Sequence, residues 1–240
     1  MKRNDGRAAG QLRKIKVHKD YNRYAEGSCL IEMGHTRVVC TATADKYVPV
    51  FLRNSGQGWV TAEYRMLPRA TQNRTLRDKI SGRNMEIQRL IGRGLRSVVD
   101  TGKLGERTLW IDCDVLQADG GTRIASLIGG YIALVMCVDR LYEQKVIAER
   151  CVNSLLGAVS VGILNGTALL DLSYDEDSAV DVDMNLVMKP NGQYIEIQGA
   201  AERGTFSQEQ LNELLTLGRR GIEEIFDLER NLLKDIVPEG

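Results

Sequence analysis

Leu109-Trp110-Ile111-Asp112-Cys113-Asp114-Val115-Leu116-Gln117-Ala118-Asp119-Gly120-Gly121-Thr122-Arg123 changes its periodicity once, and that change carries the architecture. Leu109, Ile111, Cys113 and Val115 alternate with Trp110, Asp112 and Asp114, placing apolar and polar side chains on opposite faces of a strand. Asp119-Gly120-Gly121 ends the alternation with two residues able to turn sharply. From Ile124 to Leu141 the chain is apolar nearly all round, which predicts a buried helix. A strand that feeds a buried helix through a glycine turn belongs to a protein of sheets packed with helices.

Upstream, strand signals fall at Ser28–Met33 and Arg37–Ala44, joined through Gly34 and His35, and again at Trp59–Tyr64. The basic N-terminus up to Arg13 reads as a mobile tail, and Met66 to Ser81 as an exposed loop. Met85 to Val99 places Ile87, Leu90, Ile91, Leu95 and Val98 at helical spacing, with Arg89, Arg93 and Arg96 on the other face. Downstream, Leu156–Leu164 and Ala168–Ser173 flank Asn165-Gly166, a strong hairpin signal. A strand over Ala179–Met188 turns at Pro190-Asn191-Gly192 into Tyr194–Gln198, and two helices, Gln208–Leu217 and Arg219–Ile236, close the chain. Strands and helices thus come in two similar rounds. The expectation is an α+β fold, one domain over residues 1–240, with a weak internal duplication.

Hydrophobic residues at 43% and charged residues at 27% exclude a disordered chain, a collagen-like repeat and a coiled coil. The N-terminus is too hydrophilic for a secretory signal, and the run Ile124–Val138 falls short of the roughly 20 residues that span a bilayer. The expected setting is cytoplasmic, with no membrane. Cys29, Cys40, Cys113, Cys137 and Cys151 are odd in number and lack a CxxC pair, so reduced, buried thiols are expected. His18 and His35 sit in no catalytic motif. The net charge of zero conceals a division. Residues 1–110 carry 22 Lys and Arg against 10 Asp and Glu, a net of +12, and residues 111–240 the reverse, a net of −12. Nine of the ten cations between Arg53 and Arg96 are arginine, the side chain suited to planar, two-pronged recognition of phosphate. A solvated face balanced by the acidic half would look the same.

Three groups of residues could carry chemistry. Gly120-Gly121-Thr122-Arg123 would present free amides, a hydroxyl and a cation at a helix N-terminus, a setting for a phosphate-sized anion; an ordinary glycine turn with a threonine cap would share the sequence. Ser81-Gly82-Arg83-Asn84 starts a second helix with a cation where the dipole disfavours one, so Arg83 needs an anionic partner, either phosphate or a carboxylate. The run from Asp175 to Asn185 sets Asp181, Asp183 and Asn185 on one strand face, with Asp177 at its entry. Crowded carboxylates suit Mg2+ with few protein ligands, or simply a solvated face. No Walker loop, dinucleotide fingerprint or nucleophile motif is present.

Long motifs then resemble a known family: Asn4-Asp5-Gly6-Arg7; Gly58-Trp59-Val60-Thr61-Ala62-Glu63-Tyr64 with Met66-Leu67-Pro68-Arg69-Ala70-Thr71; Ser81-Gly82-Arg83 through Arg93; Asp112-Cys113-Asp114-Val115 with Gln117 to Arg123; Glu176-Asp177-Ser178 with Val182-Asp183-Met184-Asn185; and Glu196-Ile197-Gln198-Gly199. Essentially end to end, the chain resembles the ribonuclease PH family of phosphorolytic exoribonucleases, relatives of polynucleotide phosphorylase and exosome ring subunits. The resemblance implies a duplicated split β-α-β unit assembled as a homohexamer, a trimer of dimers. It implies phosphate-dependent 3′→5′ trimming of precursor tRNA and other RNA 3′ ends, with release of nucleoside diphosphates and a reverse nucleotidyltransferase reaction. By motif match, Arg83, Gly121, Thr122 and Arg123 would bind inorganic phosphate. Asp177 and Asp183 would hold Mg2+ or protonate the leaving oxygen, and Arg69, Arg74 and Arg77 would grip tRNA. The stretch from Arg77 to Ser81 is shorter than the family pattern, Asn84 stands where a threonine-like residue is usual, and Ala200 replaces threonine. Three other readings compete: a non-catalytic RNA-binding ring subunit; a Mg2+-dependent hydrolase, which would have no use for a separate phosphate site; and a phosphate-binding regulatory module, which would not need the arginine-rich loop.

Overall fold

Alternating stretches in the first half build a five-stranded sheet. Its strands are β1 (Ile15–Lys19), β2 (Gly27–Met33), β3 (Thr36–Asp45), β4 (Trp59–Met66) and β5 (Thr108–Gln117), in the order β1-β2-β3-β5-β4. The computed structural model describes residues 3–77, 81–234 and 236–237. β4 runs parallel to β5, and the crossover between them carries helix α1 (Gly82–Arg96) and the single turn α2 (Thr101–Leu104). β5 then delivers the chain through Gly120-Gly121 into α3 (Thr122–Glu143), as its sequence requires. The second half forms β6 (Gly157–Leu164), β7 (Thr167–Leu170), α4 (Tyr174–Asp177), β8 (Val182–Met188), β9 (Tyr194–Ala201) and α5 (Gln208–Leu232). Its antiparallel sheet has the order β7-β6-β8-β9, with α5 packed on β6 and β7.

α3 lies on β2, β3 and β5 and reaches β6, and 16 of its 22 residues are buried. It extends beyond Ile124–Val138 at both ends, and by length and composition it could cross a bilayer. Burial between the two sheets accounts for its apolar circumference. One hydrophobic core runs through both halves and contains Ile31, Tyr64, Tyr131, Leu156 and Phe226. All five cysteines are reduced and buried. Cys29, Cys40 and Cys113 form a row across β2, β3 and β5, with the Cys29 and Cys113 thiols donating to α3 carbonyls.

Three expectations are corrected. The closing helices are one: Gly218 does not break α5 but lets it approach β8, since a Cβ there would stand 2.3 Å from Leu186. Residues 3–13 are not a mobile tail, for Arg3 and Arg13 are only 3% and 6% exposed, bound by ion pairs to the second half. β8 starts at Val182 rather than Ala179, because the Ala179 and Val180 amides donate back to the Glu176 carbonyl in the turn that closes α4. Asp181 also leaves the acidic group, accepting a hydrogen bond from the Asn165 amide in the β6–β7 turn.

Candidate active site

The glycine turn is held in a shape only glycine fits well. Gly120 and Gly121 have φ of +74° and +63°, the left-handed region. A Cβ on Gly120 would stand 2.6 Å from the Leu172 carbonyl, so this turn of the first half packs directly on the segment leading to α4. Gly121 caps α3 without a side-chain hydrogen bond, leaving the first amides of the helix available. Thr122 is oriented from below by Tyr64 of β4, whose hydroxyl lies 2.9 Å from Thr122 Oγ1. α1 starts beside it, with Ser81 Oγ accepting from the Asn84 amide. Neither helix has an acidic residue in its first turn, so both present an unneutralised positive dipole end.

The structure brings Arg83, Gly121, Thr122, Arg123, Asp177 and Asp183 around one cleft of about 420 Å3. Arg123 donates to Gln198 Oε1 at 2.8 Å and pairs with Glu86 at 3.3 Å. Asp177 ends α4, whose Ser173 and Glu176 form a reciprocal capping box, and Asp183 projects from β8. Burial raises the Asp177 carboxyl against the lowering pull of Arg83 and Arg123. Burial, and then the Asp177 carboxylate, push Asp183 up to about 6. Two carboxyls that resist sharing negative charge form a site that favours a cation or a proton. Among the described residues no three His, Cys, Asp or Glu side chains group as a cation cage. Mg2+ is commonly held by one or two carboxylates and several waters, and this donor set fits it.

A second groove of about 850 Å3 opens into the first and shares Arg83, Gly121, Thr122 and Asp177 with it. Its outer wall is the loop after β4, including Thr71, Leu76 and Arg77. Arg69 and Arg74 are exposed on the same loop but outside the groove lining. The loop is anchored at buried Ala70, whose carbonyl accepts from the Ala118 amide at 2.8 Å. The shortened stretch after Arg77 falls on residues 78–80, outside the described residues.

Ser160, Glu202 and Arg203 also line the cleft, and sequence reasoning missed them; Asn185, on the strand face of Asp183, lines it too. Asn185 donates to Asp183 Oδ2 at 3.5 Å. Ser160 lies in an all-buried strand, where nothing in the pattern marks one hydroxyl as functional.

Comparison with known proteins fits this geometry. The family model for the 3′ exoribonuclease family, domain 1, matches residues 11–138, and that for domain 2 matches residues 154–221. The chain belongs to this family. It is 52% identical to ribonuclease PH of Bacillus cereus (strain G9842), with 98% of each chain covered, and equally to that of Bacillus anthracis (strain A0248). In fold it is similar to rice (Oryza sativa) Rrp46, with a TM-score of 0.81, 20% identity, and 97% and 100% of the two chains covered. It is also similar to the Archaeoglobus fulgidus exosome with RNA bound to the active site, with a TM-score of 0.80, 21% identity, and 94% and 92% covered. The expected α+β ribonuclease PH fold is thereby borne out.

Proposed function

We propose that this chain is a phosphate-dependent 3′→5′ exoribonuclease that trims precursor tRNA and other RNA 3′ ends. One observation carries the reading: a cradle suited to a free phosphate faces a carboxylate pair across a single cleft, and a groove lined by an arginine-bearing loop opens into it. Arg83, the Gly121 and Thr122 turn and Arg123 hold inorganic phosphate, drawing its charge to two helix N-termini. A phosphate oxygen attacks the terminal phosphorus, the bond to the preceding 3′ oxygen breaks, and a nucleoside diphosphate leaves. The reverse reaction adds a nucleotide to an RNA 3′ end. Phosphate and phosphodiester repel, so catalysis rests on positioning and on charge neutralisation by these cations. Asp177 and Asp183 are assigned to holding Mg2+ and to protonating the departing 3′ oxygen. Mg2+, when bound there, supplies further neutralisation of the reacting phosphates. Arg69, Arg74 and Arg77 hold the body of the tRNA through its backbone.

The continuous core supports treating residues 1–240 as one internally duplicated domain. The division of charge between the halves, +12 against −12, supports assembly as a homohexamer, a trimer of dimers, in which basic and acidic surfaces meet. The cytoplasm is the setting proposed. A non-catalytic ring subunit is disfavoured because Arg83, Thr122, Arg123, Asp177 and Asp183 are all present and converge.

Incubation of a 3′-extended tRNA with the protein and Mg2+, with and without inorganic phosphate, tests the reading. Nucleoside diphosphates released only with phosphate are expected. Monophosphates released without phosphate would make the protein a hydrolase and overturn it.

A further inference from the structure

Residues 3–13 are tied to both sides of the cleft, through Arg13 to the turn before Thr122 and through Arg3 to Glu176 beside Asp177. Arg13 is 6% exposed, and its guanidinium forms a fork on Asp171: Nε to Oδ2 at 3.0 Å and Nη2 to Oδ1 at 2.7 Å. The Arg13 backbone amide adds a third bond to Asp171 Oδ2 at 2.7 Å. The remaining nitrogen, Nη1, donates to the carbonyl of Asp119, in the turn that precedes Thr122. One planar group therefore joins the turn of the first half to the strand end of the second. Gly121 lies against the same guanidinium, since a Cβ there would stand 2.7 Å from Nη2. Asp171 takes a φ of +54°, a conformation a non-glycine residue holds only when its surroundings impose it. Nearer the terminus, Arg3 donates to both oxygens of Glu176, the neighbour of Asp177, and to the carbonyls of Leu170 and Asp171.

We propose that Arg13 is a positioning residue for phosphorolysis, fixing the distance between the phosphate-binding turn and the segment that carries Asp177. The inference rests on the assignment of Gly121, Thr122 and Arg123 to phosphate. Arg13 lines neither groove and reaches the reaction only through the turn and Asp171. Its role follows from shape more than charge. A buried ion pair adds little net stability, but a rigid fork with donors in fixed directions can hold two separate acceptors in register. A lysine ammonium carries the same charge yet cannot grip both edges of Asp171 and the Asp119 carbonyl at once. Misplacement of a reacting group by about 1 Å can cost a hundredfold in rate.

The test compares full-length wild type with R13K and R13Q in phosphate-dependent release of nucleoside diphosphates, alongside RNA affinity and thermal midpoint. Positioning predicts that both variants raise the KM for phosphate by roughly tenfold or more, with RNA affinity near wild type. Guanidinium ion at low, non-denaturing concentration should partly restore R13A, the variant with room for it. R13K with a wild-type KM beside a defective R13Q would overturn the proposal, because the charge alone would then suffice. Variants that melt earlier but keep a wild-type phosphate KM below their midpoint would overturn it too, leaving Arg13 a structural staple. If R13Q does not fold, D171N severs the same fork from the other side and should raise the phosphate KM in the same way. Calorimetric titration of wild type and R13K with inorganic phosphate reads the turn without turnover. A wild type that binds phosphate but releases no diphosphate would count against phosphorolysis, whereas equal phosphate affinity in both proteins would count against Arg13.

Discussion

Arg83 and Arg123 show how one helix start differs from another at the scale of a residue. Arg123 is held by Glu86 and Gln198, so part of its charge is already answered by the protein. Arg83 is exposed and faces the same cleft, beside the α1 N-terminus where the dipole opposes a cation. A bound phosphate satisfies the side chain and the amides together. Arg83→Ala is therefore expected to lower phosphate-dependent release by roughly a hundredfold, the scale for removing one donor to a developing charge. RNA affinity should stay close to wild type; equal loss of binding and turnover would refute the assignment. Arg83, Thr122, Arg123, Asp177 and Asp183 were legible because each stands at a break in periodicity or on the polar side of an alternation. Tyr64 and Arg13 were not. Their partners, Thr122 and Asp171, lie 58 and 158 residues away, a separation no local pattern encodes.

Elements were legible where their periodicity was long. α3 and β5 follow the sequence closely, and the Asn165-Gly166 turn takes positive φ at both residues, as its composition requires. α4 escaped because a single turn has no periodicity to read; the Ser173-x-x-Glu176 spacing of its capping box stands in the sequence, but no apolar helical run follows it. The loop after β4 was legible as exposed and arginine-bearing, but not as the wall of a groove. Arg77 lines that groove, whereas Arg69 and Arg74 are exposed beyond it, and the proposed tRNA contact would use them on the more distant backbone. The double substitution Arg69→Ala with Arg74→Ala is expected to weaken tRNA binding and to reduce the slope of log affinity against log salt by about one to two units. Release from a short oligonucleotide should change far less. A salt slope equal to wild type would remove these arginines from the tRNA contact.

Across the whole molecule, stability depends on how the two halves are joined. Glu229 of α5 is fully buried close to Tyr131 of α3, where Oε2 accepts from the Leu156 amide at 3.3 Å and Oε1 has no hydrogen-bond partner among the described residues. Burial raises its carboxyl well above the ordinary glutamate value, against the smaller lowering effects of the Leu156 amide and Arg230. The folded protein thus holds this proton more tightly than the unfolded chain. Its contribution is fully present below the unfolded value and declines as pH rises above it. Glu229→Gln removes the titration and should raise the thermal midpoint by roughly 2–4 °C near pH 8, with little change near pH 5. Parallel midpoint profiles for the two proteins would show that Glu229 is not the group responsible. The N-terminal strap works at this scale too, because Arg3 and Arg13 cross from the start of the chain to Asp171 and Glu176 of the second half. Composition and periodicity by themselves determined the α+β class, the buried α3, the buried thiols and the glycine turn at Gly120-Gly121, because each follows from side chains a few positions apart. Tertiary structure alone decided that residues 3–13 are fixed, that α5 is unbroken, and that turn and carboxylates face each other across one cleft. Those facts depend on hydrogen bonds and close packing between residues far apart in sequence, and such contacts exist only once the core has brought both halves together.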